Sequence, residues 1–292
     1  MPADGADRAQ PGVLLDATPP HPRAPEDHRG RVSPPPVSPR PDDGYRSASR
    51  GYLARYWPLL TVLGVQAALS LRLVWANTAF QDEALYLRAG HLEWARWLHG
   101  NPIPDFPSYF SGAPVLYPPV GALADSIGGL AAARILSLCF MLGVTALLWT
   151  TASRLFGQRA ALLATGLFAT LPGTQFLGAF ATYDAMALLL LALAAWLAVR
   201  SADCEFAARM TLLCAAGAIL ALADAVKYAT ALFTPVVLVV GALAVARRHG
   251  LGAVLGAACA VLGSWLVLAV GAVLVAGQPY WLGITTSTLD RP

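Results

Sequence analysis

Apolar runs of about 20 residues recur from Trp57 nearly to the C-terminus, each long enough to cross a hydrocarbon core of roughly 30 Å as a helix. Inside lipid, every backbone polar group must be satisfied within its own segment or a closed barrel, so such a chain folds as a bundle of spanning helices. Composition agrees: 57% of the residues are hydrophobic and only 13% charged, which excludes an ordinary soluble domain. The fold class expected is therefore all-α, a polytopic transmembrane helical bundle of about seven spans. We place them near residues 57–79, 130–150, 160–179, 181–199, 207–223, 228–246 and 251–276. The net charge of +3 comes from dispersed basic residues, which implies no nucleic acid partner. Cys139, Cys214 and Cys259 lie in apolar runs and Cys204 in a short loop. They show neither metal spacing nor a disulfide framework and read as small apolar residues.

Residues 1–54 hold half of the chain's prolines, with Arg, Asp and Ser, and bury too little to offset chain entropy. They are expected to form a disordered cytoplasmic tail, and Pro34, Pro35 and Pro36 fit a solvated tail better than a polyproline ligand. With no early apolar core ending in a cleavage site, the first span is expected to be an uncleaved anchor. Residues 55–292 then form the membrane domain. Arg46, Arg50 and Arg55 precede the first span. Alternate turns carry Arg154 and Arg159, Arg200 and Arg209, then Arg247 and Arg248. The positive-inside rule puts these turns and the N-terminus in the cytoplasm of a multi-pass cell-membrane protein. Arg88 and Arg96 in the first outer loop argue the other way and are outnumbered.

After the first span, Leu87, Gly90, Trp94, Trp97 and Leu98 share one helical face, while Arg88, His91, Arg96 and His99 lie mostly elsewhere. That pattern predicts an amphipathic helix lying at the bilayer surface. Residues 101–119, rich in proline and aromatics, read as an ordered irregular loop. Pro172 and Pro235 are expected to kink spans, and the glycines of residues 252–277 to pack closely against other helices.

The orientation carries Asp82, Glu83, Asp184, Asp224 and Lys227 to the outer face, each at a helix end. Each has a bland reading: acids favour the first turn of a helix, and Asp224 and Lys227 stand three apart and can pair on one turn. Taken together, ionisable groups converging on one membrane face beneath aromatic residues make a candidate active site. Such a site offers a carboxylate to take a proton and a cation to hold an anionic headgroup. Transfer of a sugar from a lipid phosphate needs both, a general base on the acceptor hydroxyl and a positive charge on the leaving phosphate. One base and one displacement would invert the anomeric centre. A transporter or lipid-carrier-binding component is the alternative. It would place its ionisable groups near mid-membrane and show inverted repeats, neither of which is evident.

The order of Asp82–Glu83, Tyr117–Pro118–Pro119, Tyr183–Asp184 and Lys227–Tyr228 resembles the GT-C glycosyltransferases. The likeness is to the protein O-mannosyltransferase group and to its bacterial relatives that modify lipid A, aminoarabinose transferases among them, or cell-envelope glycans. The resemblance implies a polyprenyl-phosphate sugar donor, a protein, lipid or glycan acceptor, and an extracytoplasmic active site in the bilayer. It makes Asp82 the catalytic acid of the first outer loop with Glu83 beside it. It makes Asp184 the second acid, and it places Lys227 near the lipid phosphate, with Tyr183 also among the residues binding substrate or phosphate. Arg72 and Arg134 are candidates for the same phosphate, although snorkelling to the interface explains each of them too. The group is generally regarded as needing no metal, so no cofactor is expected; His91 and His99 have no recognised metal spacing. Such enzymes usually continue past a seventh span, so the chain reads as a C-terminally truncated domain.

Overall fold

The structure is a computed structural model that describes residues 41–106, 110 and 116–289, with side chains from residue 56 onward apart from several in the last helix. Residues 1–40, with the proline run 34–36, lie outside the described residues, as do Pro107, Tyr109 and Pro114 of the stretch expected to be an irregular loop. The chain divides into two units, Met1–Ala48 and Ser49–Pro292. The first is almost wholly outside the described residues, and the packed helices and the sites belong to the second.

Among the described residues every regular element is helical. In chain order they are α1 (Pro41–Val74), α2 (Gln81–His99), α3 (Tyr117–Phe156), α4 (Gln158–Thr170), α5 (Pro172–Leu177), α6 (Tyr183–Ser201) and α7 (Phe206–Val226). A 3-10 turn (Tyr228–Phe233), α8 (Thr234–His249) and α9 (Gly252–Leu289) complete the chain. Helix α1 already begins at Pro41, within the stretch expected to be an unstructured tail. Six segments among the described residues are long and apolar enough to cross a membrane. They match all the expected spans except that at 160–179.

That span is broken. Pro172 forces the residue before it out of the helical region, and Leu171 is extended at φ −63°, ψ 134°. Helix α4 ends there, and Pro172 starts α5 at a position where its missing N–H costs nothing. The 13 residues of α4 rise about 20 Å, too little for the hydrocarbon core. The segment still carries the chain across the bundle. Arg154, near the end of α3, forms an ion pair with Asp203, just past the end of α6. At the other extreme, the backbone N–H of Ala181, before α6, donates to Glu83 on α2. So α3 and α6 run parallel, and residues 157–182 return the chain from one end to the other. Pro235 likewise starts a helix, standing in the first turn of α8 behind the 3-10 turn, where a kink within a span was expected.

Two further departures concern α3. Tyr117, Pro118 and Pro119, expected in an irregular loop, are its buried first turn, again with proline where a helix tolerates it. Gly128 and Gly129 then break the helix, Gly129 at φ +64°, a conformation that glycine adopts without strain. The leading segment packs on α2 so closely that a Cβ on Gly90 would stand 1.9 Å from the Pro118 carbonyl oxygen. The Trp94 indole N–H donates to the Pro119 carbonyl at 2.9 Å. Of the face expected on α2, Leu87 and Gly90 are buried, whereas Trp97 and Leu98 are exposed.

Close helix packing does occur, but not through the glycines expected to provide it. Gly252, Gly256, Gly263 and Gly271 on α9 face open space. The intimate crossing of α7 and α9 is made by Gly217, where a Cβ would meet Ser264 Oγ at 2.1 Å and the Val261 carbonyl at 2.2 Å. The replacement Gly217→Ala should therefore destabilise the bundle by about 1–3 kcal/mol, seen as a lower thermal unfolding midpoint in detergent, with Gly256→Ala as the near-neutral control.

Candidate active site

The end of the bundle carrying Glu83 is organised by one buried pair. Glu83 has no exposed side-chain surface and Arg134 only 1%. The Arg134 Nε donates to Glu83 Oε1 at 2.8 Å and Nη2 to Oε2 at 2.7 Å, a two-pronged contact that a planar guanidinium is built to make. Its other N–H groups go to the carbonyls of Val74 (2.6 Å), Asn77 (3.0 Å) and Thr78 (3.1 Å). Glu83 in turn accepts the backbone N–H of Ala181 at 2.7 Å and of Phe80 at 2.9 Å. The pair thus ties together the end of α1, the turn after it, α2, α3 and the start of α6. All five Arg134 donors are engaged within the protein, which leaves none for a lipid phosphate. Both Glu83 oxygens are likewise taken up, so Glu83, expected to serve catalysis beside Asp82, is bound within the protein.

Burial on its own would raise the Glu83 carboxyl, but the Arg134 guanidinium and the two backbone amides outweigh it and hold the group below its ordinary 4.5. A carboxyl lowered on folding stabilises fully above its unfolded value and loses that contribution as pH falls through the folded one. The unfolding midpoint should therefore hold down to about pH 5 and fall below it. Glu83→Gln should remove that part of the acid sensitivity.

Asp82, one residue earlier, is exposed in the first turn of α2. One turn on, at i+4, Tyr86 shares its side of the helix. The Tyr86 ring lies 4.7 Å from that of Tyr183 and 5.1 Å from that of Phe110, with Tyr117 edge-on at 6.5 Å. Burial, then the neighbouring Tyr183, then the charges of Asp82 and Asp184 push the Tyr86 hydroxyl well above the usual tyrosine range. The ring contact of Tyr86 with Tyr183 links the start of α2 to the start of α6.

On α6, Asp184 forms an ion pair with Lys227, and the Lys227 ammonium also lies 5.1 Å from the Tyr183 ring centre. Both charged side chains remain about 30% exposed, open enough to be reached from outside. Lys227 does not pair with Asp224, its neighbour by spacing. Asp224 instead accepts the Thr230 hydroxyl and, at 2.7 Å, the Trp265 indole N–H of α9, while the Thr230 hydroxyl is also 2.9 Å from the Lys227 carbonyl. Asp224 thus fastens the turn that presents Lys227.

Of the residues expected at the site, Asp184, Tyr183 and Lys227 are in direct contact, while Asp82 stands exposed one helical turn before Tyr86, whose ring meets that of Tyr183. Glu83 and Arg134 lie beneath, bound to each other. Arg72 is exposed in the last turn of α1. His91 pairs with Asp125 at 2.7 Å, and among the described residues no group of three or more His, Cys, Asp or Glu side chains is placed to hold a metal. Sequence reasoning assigns Tyr86 no role; its i+4 spacing from Asp82 is the one signal that points to it.

Residues 121–278, just over half of the chain, match the dolichyl-phosphate-mannose-protein mannosyltransferase family. The chain belongs to that family. The mannosyltransferase match begins in the leading segment of α3 and contains Arg134, Tyr183, Asp184, Asp224 and Lys227, while Arg72, Asp82, Glu83 and Tyr86 precede it. No curated protein and no solved structure matches the chain. Family and fold together make this a multi-pass membrane glycosyltransferase of the GT-C type.

Proposed function

We propose that the chain transfers a sugar from a polyprenyl-phosphate carrier to an acceptor hydroxyl, with inversion, at the end of the bundle bearing Asp82, Asp184 and Lys227. The observation that carries this reading is an exposed carboxylate and a reachable lysine at one aromatic-lined end of the bundle, in a chain of the mannosyltransferase family. Asp82 acts as general base on the acceptor hydroxyl, whose oxygen attacks the anomeric carbon as the bond to the phosphate breaks. Lys227 stabilises the charge gathering on the leaving phosphate, and Asp184 keeps its ammonium oriented until the donor arrives. Tyr86 and Tyr183 form the wall between the two. Glu83 and Arg134 act as positioning residues that fix the start of α2, and with it Asp82. The other end of the bundle carries Arg154, Arg159, Arg200, Arg247 and Arg248, so the positive-inside rule makes the site extracytoplasmic.

The test uses the purified full chain in nanodiscs with radiolabelled polyprenyl-phosphate sugars and, separately, sugar nucleotides. Label should move from the lipid-linked donors alone. Transfer from a nucleotide sugar, or from no donor by inserted and helical protein, would overturn the reading.

A further inference from the structure

The opposite end of the bundle presents three arginines to one acid. Asp203, in the turn after α6, pairs with Arg154 of α3 and lies 3.9 Å from Arg200 and 3.6 Å from Arg248. A single carboxylate cannot neutralise three guanidinium groups, so the cluster keeps a positive excess. Near the start of α7, Arg209 is 8% exposed, with its guanidinium 5.7 Å from the Phe206 ring and its buried Nε without a hydrogen-bond partner.

A cavity opens at this end, and an apolar groove on the same helices leads away from it. Arg154 lines a polar cavity of about 420 Å³ together with Tyr56, Trp149, Thr150, Ser153 and Trp196. From Thr151 toward the other end, Leu148, Phe168, Leu188 and Ala192 line an apolar groove of about 320 Å³ that reaches Phe233 in the 3-10 turn after Lys227. Helices α3, α4 and α6 contribute to both. Arg154 also lines a smaller neighbouring cavity with Asp203, Arg247 and Arg248. Arginines beside a cavity carrying tryptophan and tyrosine, with an apolar groove leading away on the same helices, match the two halves of an anionic lipid.

We propose that the arginine-rich end binds the headgroup phosphate of an anionic phospholipid, with one acyl chain lying in the groove between α3, α4 and α6. Arg154 and Arg248 take the phosphate oxygens, and Asp203 holds the guanidinium groups in place while weakening their pull. This lipid is not the sugar donor, whose phosphate belongs at Lys227. From Asp184 to Arg200 along α6 is about 24 Å. The headgroup phosphate is thus held well apart from the donor phosphate, while the acyl-chain groove runs toward it.

Native mass spectrometry of the delipidated full chain, titrated with phosphatidylglycerol or phosphatidylcholine, tests it. Wild type should bind one phosphatidylglycerol about tenfold more tightly than phosphatidylcholine, as expected for two cationic contacts. The double variant Arg154→Gln/Arg248→Gln should bring the two lipids to parity. Asp203→Asn, which removes the competing charge and stands in if the double variant misfolds, should tighten phosphatidylglycerol binding severalfold. Millimolar inorganic phosphate should leave the bound lipid in place. Equal binding of both lipids by wild type, an undiminished preference in the double variant, or no tightening with Asp203→Asn would overturn the proposal. Displacement by inorganic phosphate would also overturn it, since it would show a site for free phosphate.

Discussion

Asp82→Asn should lower the turnover of sugar transfer by about 10²- to 10⁴-fold, the range lost when a general base is removed. The substitution keeps the size of the side chain and falls on an exposed position, so unfolding temperature and helicity should be unchanged. Donor KM should change little, because the role proposed for Asp82 is at the acceptor and not at the lipid phosphate. A loss confined to turnover identifies a group acting in the transition state. Turnover near wild type would remove Asp82 from the mechanism. A parallel fall in stability would show that it belongs to the scaffold with Glu83.

Arg134→Met should have the largest effect on stability. It would leave Glu83 ionised and buried, with only the amides of Ala181 and Phe80 for partners, and would release the carbonyls of Val74, Asn77 and Thr78. Breaking a buried pair from one side costs about 3–5 kcal/mol. Thermal unfolding in detergent should show a loss of that order, and Glu83→Gln combined with Arg134→Met should recover part of it, because no charge is then left unpaired. A double variant no better than Arg134→Met alone would mean that the carbonyl contacts, not the ion pair, carry the stability.

The spanning architecture is legible in the sequence because hydropathy over 20 residues is a strong local signal, and the arginine turns order the segments. Where structure and expectation part, the cause is either equally local or entirely tertiary. Pro172 and Pro235 look like kinks inside spans, yet the constraint that each places on its preceding residue and its tolerance at a helix start make both of them beginnings. The break in α3 at Gly128 and Gly129 is written in the glycine pair but masked by apolar residues on both sides.

Partner choice is not legible. Glu83 and Arg134 are 51 residues apart, and nothing in either segment names the other. Asp224 and Lys227 look like a pair by spacing, but each finds a better partner on another helix, Trp265 and Asp184. The ionisable residues gathered at this end of the bundle are therefore recognisable from sequence, while their division of labour is not. Two of them, Glu83 and Arg134, serve as scaffold, and three, Asp82, Asp184 and Lys227, remain open to a substrate.

The most direct test of the lipid-phosphate site is a titration of polyprenyl phosphate, the carrier left after transfer, into wild type, Lys227→Met and Arg72→Gln in detergent. A charge-assisted contact of this kind contributes about 1.5–3 kcal/mol, so Lys227→Met should weaken binding by roughly 10- to 100-fold. Arg72→Gln should bind as wild type does. Unchanged affinity in Lys227→Met, with the protein folded, would contradict the placement of the phosphate and with it the proposed site.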